Sequence, residues 1–259
     1  MGKVVCILAG ILLMIPCISG CQQKSAKSAK PAKAPAEERT TPPDPVADKK
    51  PWPYLSKESE KETLAEKLTA KNFVVIFDGS GSMAERKCSG GRRKYDVARD
   101  AFKEWSKSVP PDANVGLVSF HNDGWSEITL RKFDPQRFFD VIDRITPGDT
   151  TPLTEAVTKA HDMLAPQARR QLGYGEYHIV VVTDGIANNP RSLYSAVTSI
   201  LSRTPVIIHT IGFCIGEKHS LNQPGRTYYR TAADPASLRK GLQDVLAESE
   251  TFDVTDFGR

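Results

Sequence analysis

Short runs of apolar residues recur along most of the chain and alternate with segments of helical period. Four runs rich in β-branched residues predict strands that are buried on both faces of a sheet. They cover residues 72–77, 115–120, 178–183 and 206–213. A fifth segment, in which Ile128 and Leu130 alternate with polar residues, predicts a more solvated edge strand that is antiparallel to its neighbour.

Apolar residues at spacings of three and four predict helices between these strands. The patterns cover residues 98–109, 138–145, 153–164, 193–201 and 238–246. A capping-box spacing from Ser59 to Glu62 predicts a further short helix that continues to Ala70. The alternation predicts an α/β fold with a doubly wound, mostly parallel sheet, one antiparallel edge strand and helices on both faces.

Oxygen-bearing side chains follow two of the predicted strands. Asp78, Ser80 and Ser82 form a D-x-S-x-S motif after the first strand, and Asp184 follows the strand that ends at residue 183. Open sheets of this kind place function at the carboxyl ends of their strands. Carboxylates and hydroxyls are hard ligands that suit Mg²⁺ or Mn²⁺. The sequence therefore predicts a divalent-cation site at this edge.

The order of these motifs resembles the von Willebrand factor A (VWA) family over roughly residues 73–250. The metal-ion-dependent adhesion site of that family combines D-x-S-x-S, a threonine, and an aspartate after the central strand. Because the family's threonine commonly precedes Pro-Leu, the resemblance assigns its role to Thr151 rather than Thr150. In the family, the residues that match Asp78 and Asp184 often act through water.

The resemblance also implies what the site binds. The ion would be Mg²⁺, or else Mn²⁺ or Ca²⁺, held by Asp78, Ser80, Ser82, Thr151 and Asp184. An Asp or Glu of a partner protein would take its open position. Two carboxylates on a dication give a neutral site, which a third carboxylate can enter at modest electrostatic cost.

Residues 1–20 have the features of a signal peptide. Lys3 precedes an apolar run over residues 4–16, which is too short to span a bilayer as a stable helix. The next four residues, Ile18-Ser19-Gly20-Cys21, resemble the bacterial lipobox, which implies cleavage before Cys21 and lipidation of that residue. An ordinary signal peptide with a coincidental cysteine and a short anchor helix remain as alternatives.

Residues 21–54 are rich in Lys, Ala and Pro and predict an extended tether that carries the lipidated Cys21. The domain then spans residues 55–259. Since residue 22 is Gln rather than Asp, the lipoprotein sorting rule implies the outer membrane in an organism that has one, with the domain facing the periplasm or the cell surface. The expected location is thus the bacterial envelope, with contact to the membrane through the lipid.

The formal net charge of +4 comes from the N-terminal end. Residues 51–259 hold 27 basic and 27 acidic side chains, so the domain has no net charge and nucleic acid is not an expected partner. Of the five cysteines, Cys6 and Cys17 belong to the signal peptide and Cys21 is the lipidation site. Cys88 and Cys214 remain, either as a disulfide or as two free thiols.

Three functions fit these features. The first is an envelope-anchored, metal-dependent adhesion or scaffold module that captures a partner protein. The second is a structural lipoprotein with an incidental metal site, and the third is a hydrolase on the same architecture. The third position of the first motif is Ser80 rather than Asp, and no G-x-S-x-G, phosphate-binding, dinucleotide-binding or zinc motif is present. The sequence therefore predicts a protein that is not an enzyme.

Overall fold

Six strands form one mixed sheet in the computed structural model, which describes residues 52–54 and 62–248. They are β1 (Lys71–Asp78), β2 (Asn114–His121), β3 (Gly124–Lys132), β4 (Glu176–Thr183), β5 (Ile207–Phe213) and β6 (Tyr228–Ala232). The order across the sheet is β3-β2-β1-β4-β5-β6. Only β3 is antiparallel to its neighbour. The predicted fold class is confirmed.

Five α-helices cover the two faces of this sheet within the described ranges. They are α1 (Lys94–Ser106), α2 (Pro135–Ile142), α3 (Leu153–Arg170), α4 (Pro190–Arg203) and α5 (Pro235–Glu248). The core beneath one face includes residues of α1, α2 and α5, and the core beneath the other includes residues of α3 and α4. Of the helices that the structure describes, none has both the length and the apolar character needed to cross a membrane.

The central strand β1 shows why its apolar run is continuous. Phe73, Val75 and Phe77 point into the core under α1, α2 and α5. Val74 and Ile76 point into the core under α3 and α4. Because successive side chains alternate between faces, a strand that is covered on both sides needs an apolar residue at every position. β1 therefore lies at the middle of the domain.

Two features of the fold differ from the sequence prediction. The helix predicted over residues 59–70 is wrong where the structure describes it, since residues 62–70 are irregular. Their polar groups bond to the end of α3 instead: Ala65 N–H donates to Arg170 O at 2.8 Å, and Glu62 pairs with Arg169 at 2.8 Å. The second difference is β6, which the pattern did not predict because Ala232 is its only buried residue.

The N-terminal predictions fall mainly outside the described residues. The signal peptide over residues 1–20, Cys21 and nearly all of the tether over 21–54 belong to this part of the chain. Residues 52–54 are described, and there the Trp52 ring packs edge-on against Tyr177, with ring centroids 4.9 Å apart. Trp52 thus contacts the side chain of a core residue in β4.

Four stacked rings cross the sheet over β1, β4, β5 and β6. Phe73 stacks on His178 at 4.8 Å, His178 on His209 at 5.4 Å, and His209 on Tyr228 at 5.1 Å between ring centroids. Burial lowers the pKa of His209 to about 3, and the charges of His178 and Arg230 act in the same direction. The folded protein therefore keeps His209 neutral at a pH at which the unfolded chain protonates it.

This difference predicts a pH-dependent loss of stability. Between pH 6.5 and about 3 the unfolded chain binds one proton more at His209 than the folded protein, so its contribution to stability falls as the pH decreases. His209→Gln should reduce the slope of the unfolding free energy over this window by up to about 1.4 kcal/mol per pH unit. Urea unfolding at several pH values measures this slope. His161→Gln, at a partly exposed position of α3, is the control, and equal slopes in wild type and His209→Gln would contradict the prediction.

Candidate metal centre

The predicted site residues meet at the carboxyl edge of the two central strands. The chain runs from β1 outward through β2 to β3, then returns to place β4 on the other side of β1. The loops after β1 and β4 therefore start side by side and lead away in opposite directions, which leaves a crevice between them. Asp78 is the last residue of β1, and Asp184 follows the last residue of β4.

The two serines and Asp184 are in direct contact. Ser82 Oγ donates to Asp184 Oδ1 at 2.6 Å, and Ser80 Oγ lies 3.2 Å from Ser82 Oγ. Ser80 and Asp184 are buried, whereas Ser82 is half-buried. Three of the five predicted oxygen ligands thus form one chain of polar atoms that begins inside the domain and reaches towards its surface.

Asp78 lies deeper and is fully buried. Its Oδ1 accepts from Ser80 N–H at 2.8 Å, and its Oδ2 accepts from the hydroxyl of Thr183. Burial raises the pKa of Asp78 to about 6, and the charge of Asp184 adds to this rise, while the hydrogen bonds from Ser80 and Thr183 oppose it. Both carboxylate oxygens are therefore already engaged by the protein, and Asp78 holds the serine loop in place.

Thr151 is held between the loops that follow β1 and β4. Its N–H donates to Asn188 Oδ1 at 2.9 Å, and Asn188 N–H donates back to Thr151 O at 3.0 Å. Its hydroxyl oxygen lies 3.2 Å from the position that a Cβ at Gly185 would occupy. That same position lies 3.7 Å from Ser82 Oγ, so Thr151 and Ser82 both border the space beside Gly185.

Close backbone contacts fix the loop that carries the serines. Gly79 N–H donates to Phe120 O at 3.0 Å, and a Cβ at Gly79 would lie 2.5 Å from that same oxygen. Gly148 N–H donates to Gly79 O at 2.9 Å and thereby ties the Thr151 loop to the serine loop. Gly79 is thus required by the close approach of β2. At Gly81 an added Cβ would meet only ordinary contacts, at 3.6 Å or more.

Lys94 completes the site, and the sequence prediction did not include it. Its side chain is almost fully buried, with Nζ 2.7 Å from Asp184 Oδ2 and 3.1 Å from the exposed Glu85 Oε2. Burial lowers the pKa of Lys94, but the hydrogen bonds and charges of Asp184 and Glu85 outweigh it and hold that pKa above its ordinary value. One signal was available: Lys94 opens α1, where the helix dipole disfavours a cation. Such a position calls for a compensating anion.

The donor set fits a hard divalent cation. Asp78, Ser80, Ser82, Thr151 and Asp184 offer two carboxylates and three hydroxyls, the ligand type of Mg²⁺, Mn²⁺ and Ca²⁺. Within residues 52–54 and 62–248, no three His, Cys, Asp or Glu side chains lie together as a metal site. A site in which hydroxyls outnumber carboxylates does not form such a group.

Cys88 and Cys214 lie at the same edge of the sheet, and both thiols are free. Cys214 Sγ donates to Lys87 O, the carbonyl next to Cys88, at 3.3 Å. Burial raises the pKa of the Cys214 thiol to about 12, and the hydrogen bond and charge of Cys88 add to this rise. The two side chains thus interact, and the disulfide between them stays a prediction.

The sequence of residues 73–186 matches the von Willebrand factor type A domain family. The vWF domain of the type V pili tip protein Mfa5 from Porphyromonas gingivalis has a similar structure, with a TM-score of 0.54 and 14% identity. The similarity covers 73% of this chain and 99% of that one. The chain therefore has the fold of that solved structure, and its residues 73–186 are similar in sequence to the family.

Two proteins of Bacillus subtilis (strain 168) are similar in sequence. YwmD is 29% identical over 107 residues, which are 36% of this chain and 47% of YwmD. YwmC is 23% identical over 211 residues, which are 73% of this chain and 86% of YwmC. The chain therefore spans about half the length of YwmD and most of the length of YwmC.

The contact between the cysteines predicts a bridge in protein that matures in an oxidising compartment. Thiol–disulfide exchange with an oxidised dithiol oxidoreductase would join Cys88 to Cys214 before burial in the folded domain raises the pKa of the Cys214 thiol. Thiol titration of the denatured mature protein from the envelope should then detect no free cysteine, and Cys88→Ser should expose one. Two reactive thiols in the wild type would contradict the bridge.

Proposed function

We propose that this chain is a divalent-metal-dependent protein-binding module of the bacterial envelope, anchored to the membrane by a lipid on Cys21. The observation that carries this proposal is the convergence of Ser80, Ser82 and Asp184 at the crevice of the sheet, with Thr151 and Ser82 both beside Gly185. The bound ion would be Mg²⁺, or else Mn²⁺ or Ca²⁺.

The five predicted site residues would contribute to binding that ion in different ways. The hydroxyls of Ser80, Ser82 and Thr151 would ligate it directly, since a hydroxyl is a neutral oxygen ligand that keeps its lone pairs when its proton is donated elsewhere, as that of Ser82 is to Asp184. Asp184 would contribute negative charge next to Ser82, its hydrogen-bond partner at 2.6 Å. Asp78 would act from the interior, because Ser80 and Thr183 already bond both of its oxygens. When bound, the ion supplies a positive centre for a partner's carboxylate.

The surface around the crevice supports a protein partner. Ile186 follows Asp184 by two residues and exposes 66% of its surface, although it is a large apolar side chain. Tyr194 lies in the first half of α4, which begins near the carboxyl edge of the sheet after β4, and 51% of its surface is exposed. Exposed aromatic and aliphatic residues next to a charged anchor are typical of protein interfaces. The expected contact surface includes the loops at residues 83–93, 121–126, 146–151 and 185–191.

An extracytoplasmic location is in line with the pilus protein whose vWF domain shares this fold. The finer location rests on the sequence of the N-terminus. The lipobox at residues 18–21 supports a lipid anchor, and the residues up to 54 support a tether of on the order of 90 Å when fully extended. In an organism with an outer membrane, we propose that membrane as the site of anchorage.

Binding of the metal ion and binding of the partner protein should both depend on the Thr151 hydroxyl. Calorimetry should detect one Mn²⁺ or Mg²⁺ per domain, and Thr151→Ala should weaken this binding at least about tenfold because a ligand is lost. Pull-down from the protein's own envelope extract should recover a partner with Mg²⁺ present and lose it with EDTA or with Thr151→Ala.

Thr158→Ala is the matched control, since Thr158 lies exposed on α3 and donates only to Thr154 O at 2.9 Å. It should bind metal and partner as the wild type does. Capture that is unchanged by EDTA would favour a structural lipoprotein with an incidental metal site. No heat and no thermal shift with either ion would overturn the proposed metal dependence.

The lipid anchor predicts a separate result. Cys21→Ser should abolish labelling with a radioactive fatty acid and move the protein from the membrane fraction to the soluble fraction, because the lipid on Cys21 is the proposed membrane attachment. Cys88→Ser is the control and should leave both readouts unchanged. Fatty-acid label that persists in Cys21→Ser would contradict the lipobox interpretation.

A further inference from the structure

Lys94 places a permanent positive charge inside the candidate metal centre. Its side chain is 5% exposed and that of Asp184 is 0% exposed, so water screens their 2.7 Å contact weakly. The second partner, Glu85, is 60% exposed at 3.1 Å and is well solvated. The ammonium group is therefore bound chiefly to the carboxylate that the ion would also need.

The contacts of Asp184 divide between its two oxygens. Oδ1 accepts from Ser82 Oγ at 2.6 Å, and Oδ2 accepts from Lys94 Nζ at 2.7 Å. Lys94 thereby fixes the orientation of the carboxylate, with Oδ1 turned towards the hydroxyl ligands. Removing Lys94 leaves Oδ2 without its cation in a buried position.

The charge count of the centre changes when Lys94 is included. Asp78 and Asp184 contribute −2 when both are ionised, and Lys94 brings the sum to −1. A divalent ion then gives +1 rather than the neutral site expected from the two carboxylates alone. A partner's carboxylate would bring this net charge to zero.

We infer that Lys94 is a built-in counter-cation of the metal centre, which weakens the binding of the divalent ion and strengthens the binding of a carboxylate to the loaded site. The two effects have opposite signs because Lys94 repels one ligand and attracts the other through the same charge. The site is thereby tuned to take an acidic partner at the cost of some metal affinity. This inference rests on the proposed function.

A purely structural role for Lys94 gives a different result. If Lys94 only neutralised buried Asp184, its removal would disorder the carboxylate and weaken both metal and carboxylate binding. The counter-cation role instead predicts stronger metal binding together with weaker carboxylate binding. The pair of signs separates the two roles.

The test uses Lys94→Gln, which keeps a hydrogen-bond donor for Asp184 and removes the charge. Calorimetry with Mn²⁺ should show affinity increased on the order of tenfold. Acetate titrated into the Mn²⁺-loaded chain, followed by the water-proton relaxation rate, should show affinity reduced by a similar factor. Lys94→Arg keeps the charge and should stay within about threefold of the wild type in both titrations.

Glu85→Gln is the control for the exposed partner and should change either affinity by less than about threefold, because its charge is screened. If Lys94→Gln fails to fold, Lys94→Met replaces it. Lys94→Met removes the hydrogen-bond donor as well as the charge, and it should likewise bind Mn²⁺ more tightly and acetate more weakly than the wild type. Metal binding that is unchanged or weaker in the neutral variants would overturn this inference alone. Equal or tighter acetate binding in those variants would also overturn it.

The same experiment separates this inference from the proposed function. If Lys94→Gln binds Mn²⁺ and the wild type does not, the proposed metal dependence of the natural protein fails. The same result would support the inference that Lys94 weakens the binding of the ion. If neither the wild type nor the neutral variants bind Mn²⁺, both ideas fail.

Discussion

Two buried carboxylates at the ends of adjacent parallel strands impose the main constraint on this domain. Asp78 and Asp184 lie at the ends of neighbouring strands because β1 and β4 pair in parallel, and the charge of Asp184 helps to raise the pKa of Asp78. The Thr183 hydroxyl and the Ser80 amide donate hydrogen bonds to Asp78. Lys94 and Ser82 donate hydrogen bonds to Asp184. The order of the candidate centre therefore follows from the need to stabilise these two charges.

Backbone hydrogen bonds hold the loops around these two carboxylates in place. The serine loop stays close to β2 through Gly79, where no side chain would fit, and the Thr151 loop joins it through the Gly148 amide. Asn188 then connects Thr151 to the loop after β4. Hydroxyl oxygens are thus fixed around the carboxylates by backbone bonds, so a cation would meet a preformed set of ligands. Protein binding through such a centre needs no catalytic group, which agrees with the proposed role.

The sequence predicts the fold well wherever burial on both faces dictates the residues. The continuous apolar runs of β1, β2, β4 and β5 and the periodic helices α1–α5 are confirmed on this basis. β6 escaped prediction because it is short and mostly solvated, and the helix before Ala70 was wrong because long-range bonds to Arg169 and Arg170 replace its own. Within the site, motif spacing predicted Asp78, Ser80, Ser82 and Asp184, which the fold brings to one edge of the sheet, and the family resemblance added Thr151. Lys94 gave little signal, since it follows a loop that already contains several Lys and Arg side chains.

The central claim is that the crevice between β1 and β4 holds one divalent ion beside a lysine that remains in place. Anomalous diffraction from crystals soaked in Mn²⁺ tests it most directly. The account predicts a single manganese peak within coordination distance of the Ser80 and Ser82 hydroxyls, with Lys94 Nζ still bonded to Asp184. Ordered side chains with no manganese peak among them, or a peak that displaces Lys94 from Asp184, would contradict it.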